Sequence, residues 1–92
     1  MIGNTPLLEI CCTYQGRCLR IFAKAEAYNL TGSIKDRVAY YILKKAYETG
    51  AIEPGMTIAE ATSGNTGISL AMIGRVKGYN VEIVMSEAVS IE

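Results

Sequence analysis

Ninety-two residues, half of them hydrophobic and a fifth charged, suffice for one small soluble domain with a modest core. Nine basic side chains balance nine acidic ones without forming a stripe, which argues against nucleic acid and anionic membranes as partners; no apolar run approaches the ~20 residues that span a bilayer. With no histidine, imidazole acid–base chemistry and Ser-His-Asp triads are excluded, and three cysteines without C-x-x-C spacing make a zinc site improbable.

The chain opens Met1-Ile2-Gly3-Asn4, which has neither the basic nor the apolar region of a signal peptide, so a cytoplasmic location is expected. In that reducing compartment Cys11, Cys12 and Cys18 read as small buried hydrophobes. Residues 19–25 alternate apolar with polar or small side chains and predict a strand. A polar loop follows, and Ser33 is placed to cap a helix over residues 34–49 that ends at Gly50. Glu53-Pro54-Gly55 makes a turn into a short strand, 57–61. The tight loop 62–67 feeds a second helix, 66–77, with Ile68, Leu70, Ala71, Met72 and Ile73 on its packed surface, and Gly78 ends it before a third strand, 80–85. Strand–helix–strand–helix–strand predicts an α/β fold, a three-layer parallel sheet with right-handed crossover helices.

The first helix carries a lysine in an unusual place. At about 100° per residue, Ile34, Val38, Ile42, Ala46, Ala39 and Leu43 fan across one half, and Asp36, Arg37 and the tyrosines take the other. Lys35 falls within the apolar half. Lysine is almost never fully buried without a partner. A desolvated ammonium loses its proton more easily and becomes a nucleophile able to form a Schiff base. The alternative is that a first-turn lysine runs its stem to water.

Two loops, the one carrying Lys35 and the one over residues 62–67, each follow the carboxyl end of a predicted strand, where open α/β sheets bind ligands. Thr62-Ser63-Gly64-Asn65-Thr66-Gly67 offers backbone amides at a helix N-terminus to a carboxylate or phosphate. Thr62, Ser63 and Thr66 add hydroxyls, and Asn65 adds an amide that donates or accepts. The pattern is neither a Walker A loop nor G-x-G-x-x-G. Taken alone it is also what a capped turn looks like.

Read together, these segments carry a resemblance. Ile2-Gly3-Asn4-Thr5-Pro6-Leu7, Asn29-Leu30-Thr31-Gly32-Ser33-Ile34-Lys35-Asp36-Arg37 and Ala61-Thr62-Ser63-Gly64-Asn65-Thr66-Gly67, with Gly78-Tyr79 and Met85-Ser86-Glu87 in family spacing, resemble the cysteine synthase family of fold type II pyridoxal-phosphate enzymes. Gly64-Asn65-Thr66-Gly67, with no histidine after the asparagine, is similar to the cysteine synthase and cystathionine β-synthase branch rather than to relatives that dehydrate serine or threonine.

The resemblance implies that Lys35 is the catalytic lysine that holds pyridoxal 5'-phosphate and that Asn65 hydrogen-bonds the cofactor's ring hydroxyl. It implies that Thr62, Ser63, Gly64, Asn65 and Thr66 receive the α-carboxylate of an amino-acid substrate. The implied reaction is β-replacement, O-acetylserine plus sulfide giving cysteine plus acetate, in a homodimeric enzyme without a metal. Family members are about three times as long, and their glycine-rich phosphate loop has no counterpart in these 92 residues. Residues 1–92 are therefore expected to form a single N-terminal fragment with a partial fold type II structure, inactive alone and prone to self-association through Ala71, Met72, Ile83, Val84 and Met85. The competing class is a non-catalytic module that binds a small carboxylate or a protein partner.

Overall fold

The computed structural model describes residues 1–62 and 64–87. Two antiparallel strands open the chain, β1 (Leu7–Tyr14) and β2 (Arg17–Lys24). They are followed by α1 (Lys35–Glu48), β3 (Thr57–Ala61), α2 (Asn65–Val76) and β4 (Asn80–Val84). The helices and the last two strands lie within a residue or two of the sequence expectation. Gly50 (φ 78°) and Gly78 (φ 92°) end the helices in the left-handed region, where their amides and those just beyond bond back to the last-turn carbonyls.

The sheet differs from the expectation. Among the described residues there is no three-stranded parallel sheet. β3 pairs in parallel with β4, Thr57 opposite Asn80 and Ala61 opposite Val84, while β1 and β2 form a separate hairpin from Leu7 opposite Lys24 to Tyr14 opposite Arg17. The turn is two residues, Gln15 and Gly16, both at positive φ, the handedness that matches strand twist. β1 went unpredicted because Leu-Leu-Glu-Ile-Cys-Cys-Thr-Tyr does not alternate cleanly and Gln-Gly is a weak turn signal. Cys11 and Cys18 are exposed on this hairpin and Cys12 is half-buried, all three as free thiols, so they are not buried core.

The folded centre is a stack. α2 lies on the β3–β4 pair, and α1 packs on α2 rather than on the sheet. Ala39 and Leu43 of α1 meet Leu70 and Ile73 of α2, with Ile58 and Ile83 of the strands and Ile2, Leu30 and Ile52 of the loops closing around them. Gly74 lets α2 approach the sheet closely, since a Cβ there would lie 2.6 Å from Val81 Cγ2. One helix contact seats only a narrow stripe of α1, namely Asp36, Ala39 and Leu43. Of the rest of the predicted apolar half, Ala46 is half-buried and Ile34, Val38 and Ile42 are 42 to 52% exposed. On α2 the buried set is Gly67, Ser69, Leu70, Ile73 and Gly74, whereas Ile68 and Met72 are exposed.

Among the described residues the hairpin packs against none of the helices or other strands. The radius of gyration is accordingly 17.0 Å, against ~12 Å for a compact domain of this length. Its apolar side chains Leu8, Ile10, Ile21 and Phe22 are exposed on both faces. Of the residues predicted as uncovered surface, Met72, Val84 and Met85 are exposed, and Ala71 and Ile83 are half-buried. Among the described residues no helix is long and apolar enough to cross a membrane.

Candidate active site

Near their N-termini α1 and α2 are joined by Asp36, in the first turn of α1, and Ser69, in the second turn of α2. Two carboxylates, neither singled out by the sequence, build the site. The first is Glu26. Arg37 grips it with two parallel bonds, Nε to Oε2 at 2.8 Å and Nη2 to Oε1 at 2.9 Å. The Thr5 hydroxyl donates to Oε1 at 2.6 Å and the Asn29 amide to Oε2 at 2.7 Å, while Asn29 Oδ1 accepts the Gly3 backbone amide at 2.7 Å. Lys24 Nζ also donates to the Thr5 carbonyl. This network pins the opening segment 2–7 onto the loop that leads to Lys35. Bonds from Arg37 and Thr5 pull the Glu26 carboxyl from its ordinary 4.5 down to about 2, and the same carboxylate raises Arg37.

The second carboxylate is Asp36, fully buried although helical phase assigned it to the polar half. Its oxygens accept the Thr31 hydroxyl, the Thr31 backbone amide at 2.6 Å and the Ser69 hydroxyl at 2.6 Å. Burial pushes its pKa up, but the hydrogen bonds from Ser69 and Thr31 outweigh burial and leave it below the ordinary carboxylate range. No periodicity could have found this cluster, because the polar partner that buries Asp36 lies 33 residues away. The nearest signal was the run of short polar residues around Lys35.

Lys35 is the first residue of α1 and its side chain is exposed, which is the first-turn alternative rather than a desolvated lysine in the apolar half. The reason is the narrow α1–α2 contact described above. Its backbone amide donates to Ser33 Oγ at 3.2 Å, so Ser33 does hold the helix start, although Ile34 occupies the formal cap position. Among the described residues Lys35 Nζ has no hydrogen-bond, ion-pair or ring partner. The other four lysines are engaged: Lys24 with a carbonyl, Lys44 with Glu48, Lys45 over Tyr41 and Lys77 over Tyr40.

The loop after β3 is shaped from within. The Thr62 amide extends the sheet ladder to the Val84 carbonyl at 3.0 Å. The Thr62 hydroxyl oxygen turns inward and accepts the amides of Gly64 at 3.4 Å and Gly67 at 3.2 Å. A Cβ on Gly67 would come 2.5 Å from Thr62 Cγ2 and 3.1 Å from Ile83 Cγ2, so this close turn requires glycine. Thr62 thus caps the helix, and only its hydroxyl proton is left for a ligand. Asn65 and Gly64 are exposed, Thr66 is half-buried, and among the described residues the backbone amides of Asn65 and Thr66 have no acceptor. Those amides face an anion favourably at a helix N-terminus. Ser63, expected at the same site, lies outside the described residues.

Comparison with known proteins identifies the family. The family described as pyridoxal-phosphate dependent enzyme matches residues 1–92. The chain is 49% identical to a cystathionine β-synthase of Apis mellifera, over 99% of this chain and 18% of that protein. It is 49% identical to cysteine synthase 1 of Emericella nidulans, over 91% of this chain and 23% of the relative. The crystal structure of a hydrogen sulfide-producing enzyme from Fusobacterium nucleatum superposes with a TM-score of 0.91 at 54% identity, covering 97% of this chain and 27% of that one. The chain therefore spans about a quarter or less of the length of these relatives. The three segments that suggested the resemblance lie inside the matched region, and the chain belongs to the pyridoxal-phosphate dependent enzyme family.

Proposed function

We propose that this chain carries the cofactor-lysine and substrate-carboxylate portion of a β-replacement enzyme of the cysteine synthase type, acting on O-acetylserine and sulfide. The observation that carries the reading is Lys35, at the first turn of a helix whose neighbour starts with the amides of Asn65 and Thr66, where among the described residues neither the lysine nor those amides have a partner. A primary amine in solvent fits an aldehyde cofactor, and an amide-rich helix start fits a carboxylate.

In this reading Lys35 Nζ holds the cofactor and, once released from it, takes the α-proton of the substrate. Asn65 hydrogen-bonds the ring hydroxyl. Gly64 and the amides of Asn65 and Thr66, with the hydroxyls of Thr62, Ser63 and Thr66, hold the substrate α-carboxylate. Pyridoxal phosphate, when bound, supplies the electron sink for the carbon that loses its proton. The glycine-rich loop that grips the cofactor phosphate in the family has no counterpart in residues 1–92. Binding to this chain is therefore expected to be weak, cysteine synthase turnover low or absent, and the chain the N-terminal portion of a larger unit. A cystathionine β-synthase-like reaction is the second reading, favoured by the equally similar Apis mellifera relative.

The test is direct. Purified chain mixed with pyridoxal phosphate should gain a band near the blue edge of the visible spectrum, and borohydride should fix the label on Lys35 in preference to the other four lysines. An even spread of label would refute the assignment. In the complete enzyme, Thr66→Ala is expected to weaken amino-acid binding by ~1–3 kcal/mol, the range for a hydrogen bond to a charged group, with less effect on the cofactor. Titration of both ligands measures this, and equal losses would count against the division of roles.

The assembly proposed is a pair or larger association of this chain in the cytoplasm. Among the described residues both outer edges of the β1–β2 hairpin are unpaired and its apolar side chains uncovered, which favours a second copy adding across an edge. Light scattering should report a mass above that of one chain; a monodisperse monomer would rule this out.

A further inference from the structure

Asp36 and Ser69 are polar side chains with no exposure at all, and they touch each other across the α1–α2 contact. The Thr31 hydroxyl closes a triangle, lying 3.2 Å from Ser69 Oγ while also donating to Asp36. The three residues belong to three segments. Thr31 is in the loop before α1, Asp36 directly follows Lys35, and Ser69 lies three residues beyond Thr66, one turn along α2. A well-packed apolar substitute for the whole cluster would serve stability as well, since a buried charge is weak support for a fold. What a fully satisfied buried carboxylate adds is a single register, because any rotation of one helix against the other leaves it short of a donor.

We propose that Asp36 is a positioning residue that locks the backbone of Lys35 to α2 through Ser69, one turn from that helix's start, so that the cofactor lysine and the substrate-carboxylate loop form one rigid unit. The functional half of this statement rests on the reading of Lys35 and residues 62–66 given above, whereas the lock itself does not. It follows that disturbance at Ser69, on the substrate-loop helix, is felt at Lys35 on the other.

The experiment is amide hydrogen exchange on the chain without cofactor, comparing the wild type with Ser69→Ala, Thr31→Val and Thr31→Ser. Ser69→Ala and Thr31→Val each remove one donor hydroxyl, and Thr31→Ser keeps it. Exchange at the Lys35 and Asp36 amides should rise about tenfold in the first two, near the low end of what a hydrogen bond to a charged group is worth, while β3 and β4 amides hold. Thr31→Ser should behave like the wild type. Unchanged exchange at Lys35, or a uniform rise through α1, α2, β3 and β4, would overturn the lock. In a parallel arm, borohydride-fixed pyridoxal phosphate is mapped over the five lysines. Ser69→Ala should shift label away from Lys35 toward the other four, and an undiminished Lys35 preference would also overturn the proposal. If the wild type itself shows no preference for Lys35, the cofactor reading fails while the exchange result still decides the lock.

Discussion

Lys35→Ala is expected to abolish preferential labelling by pyridoxal phosphate and borohydride while leaving the fold as stable as before. The two halves of this outcome follow from the same geometry. Lys35 Nζ has no partner among the described residues and its side chain is in solvent, so truncation removes no contact and creates no cavity. Exposed substitutions of that kind usually stay within about 0.5 kcal/mol. Chemistry, by contrast, loses both the group that holds the cofactor and the base that moves the α-proton. General acid–base catalysis alone is worth ~10²- to 10⁴-fold, so turnover of the complete enzyme should fall by at least that much. Label distribution by peptide mass and a thermal melt on the same sample check both halves. A variant that retains the labelling of the wild type would remove Lys35 from the mechanism, and one that unfolds would assign it to structure.

Much of the local structure could be read from the sequence, and little of its long-range arrangement. α1, β3, α2 and β4 are short-range objects. Gly50 and Gly78 stop the helices, Ser33 holds the Lys35 amide, and Thr57–Ala61 is a strand as expected. The pairing of strands is a long-range matter. Residues 19–25 alternate as a strand should, yet nothing in them says whether the neighbour is β3 or the poorly patterned 7–14, and the observed strand β2 pairs with the latter. Of the two readings for Lys35, the structure bears out the first-turn lysine with its stem in water. Helical phase orders side chains around an axis but does not say how wide the contacting stripe will be. α2 covers only the Asp36–Ala39–Leu43 line, which leaves Ile34, Val38 and Ile42 uncovered and Lys35 in water. Lys35 is in solvent as that reading expects, and it stands out from the other lysines by having no partner among the described residues.

The acidic networks were illegible for the same reason, and they lead to the second large effect. Asp36→Ala should destabilise the chain at neutral pH by ~3 kcal/mol or more. Alanine leaves the Thr31 amide, the Thr31 hydroxyl and the Ser69 hydroxyl without their acceptor, and unsatisfied buried donors cost ~1–3 kcal/mol each. Against a net stability of ~5–15 kcal/mol for a typical domain, that is a large share. The pH dependence has a definite sign. Asp36 and Glu26 both have folded-state pKa values below their ordinary ones, so their contribution is fully present above the ordinary carboxylate range and is lost as pH falls through the folded values. For Glu26 the window runs from 4.5 down to about 2. The wild type should therefore lose stability steadily below about pH 4.5. Asp36→Ala should follow it with a shallower slope, so that the gap between the two narrows in acid. Urea midpoints at neutral pH and near the lower end of that window measure the gap. Equal midpoints at neutral pH, or a gap that widens in acid, would show that Asp36 is not a satisfied buried carboxylate.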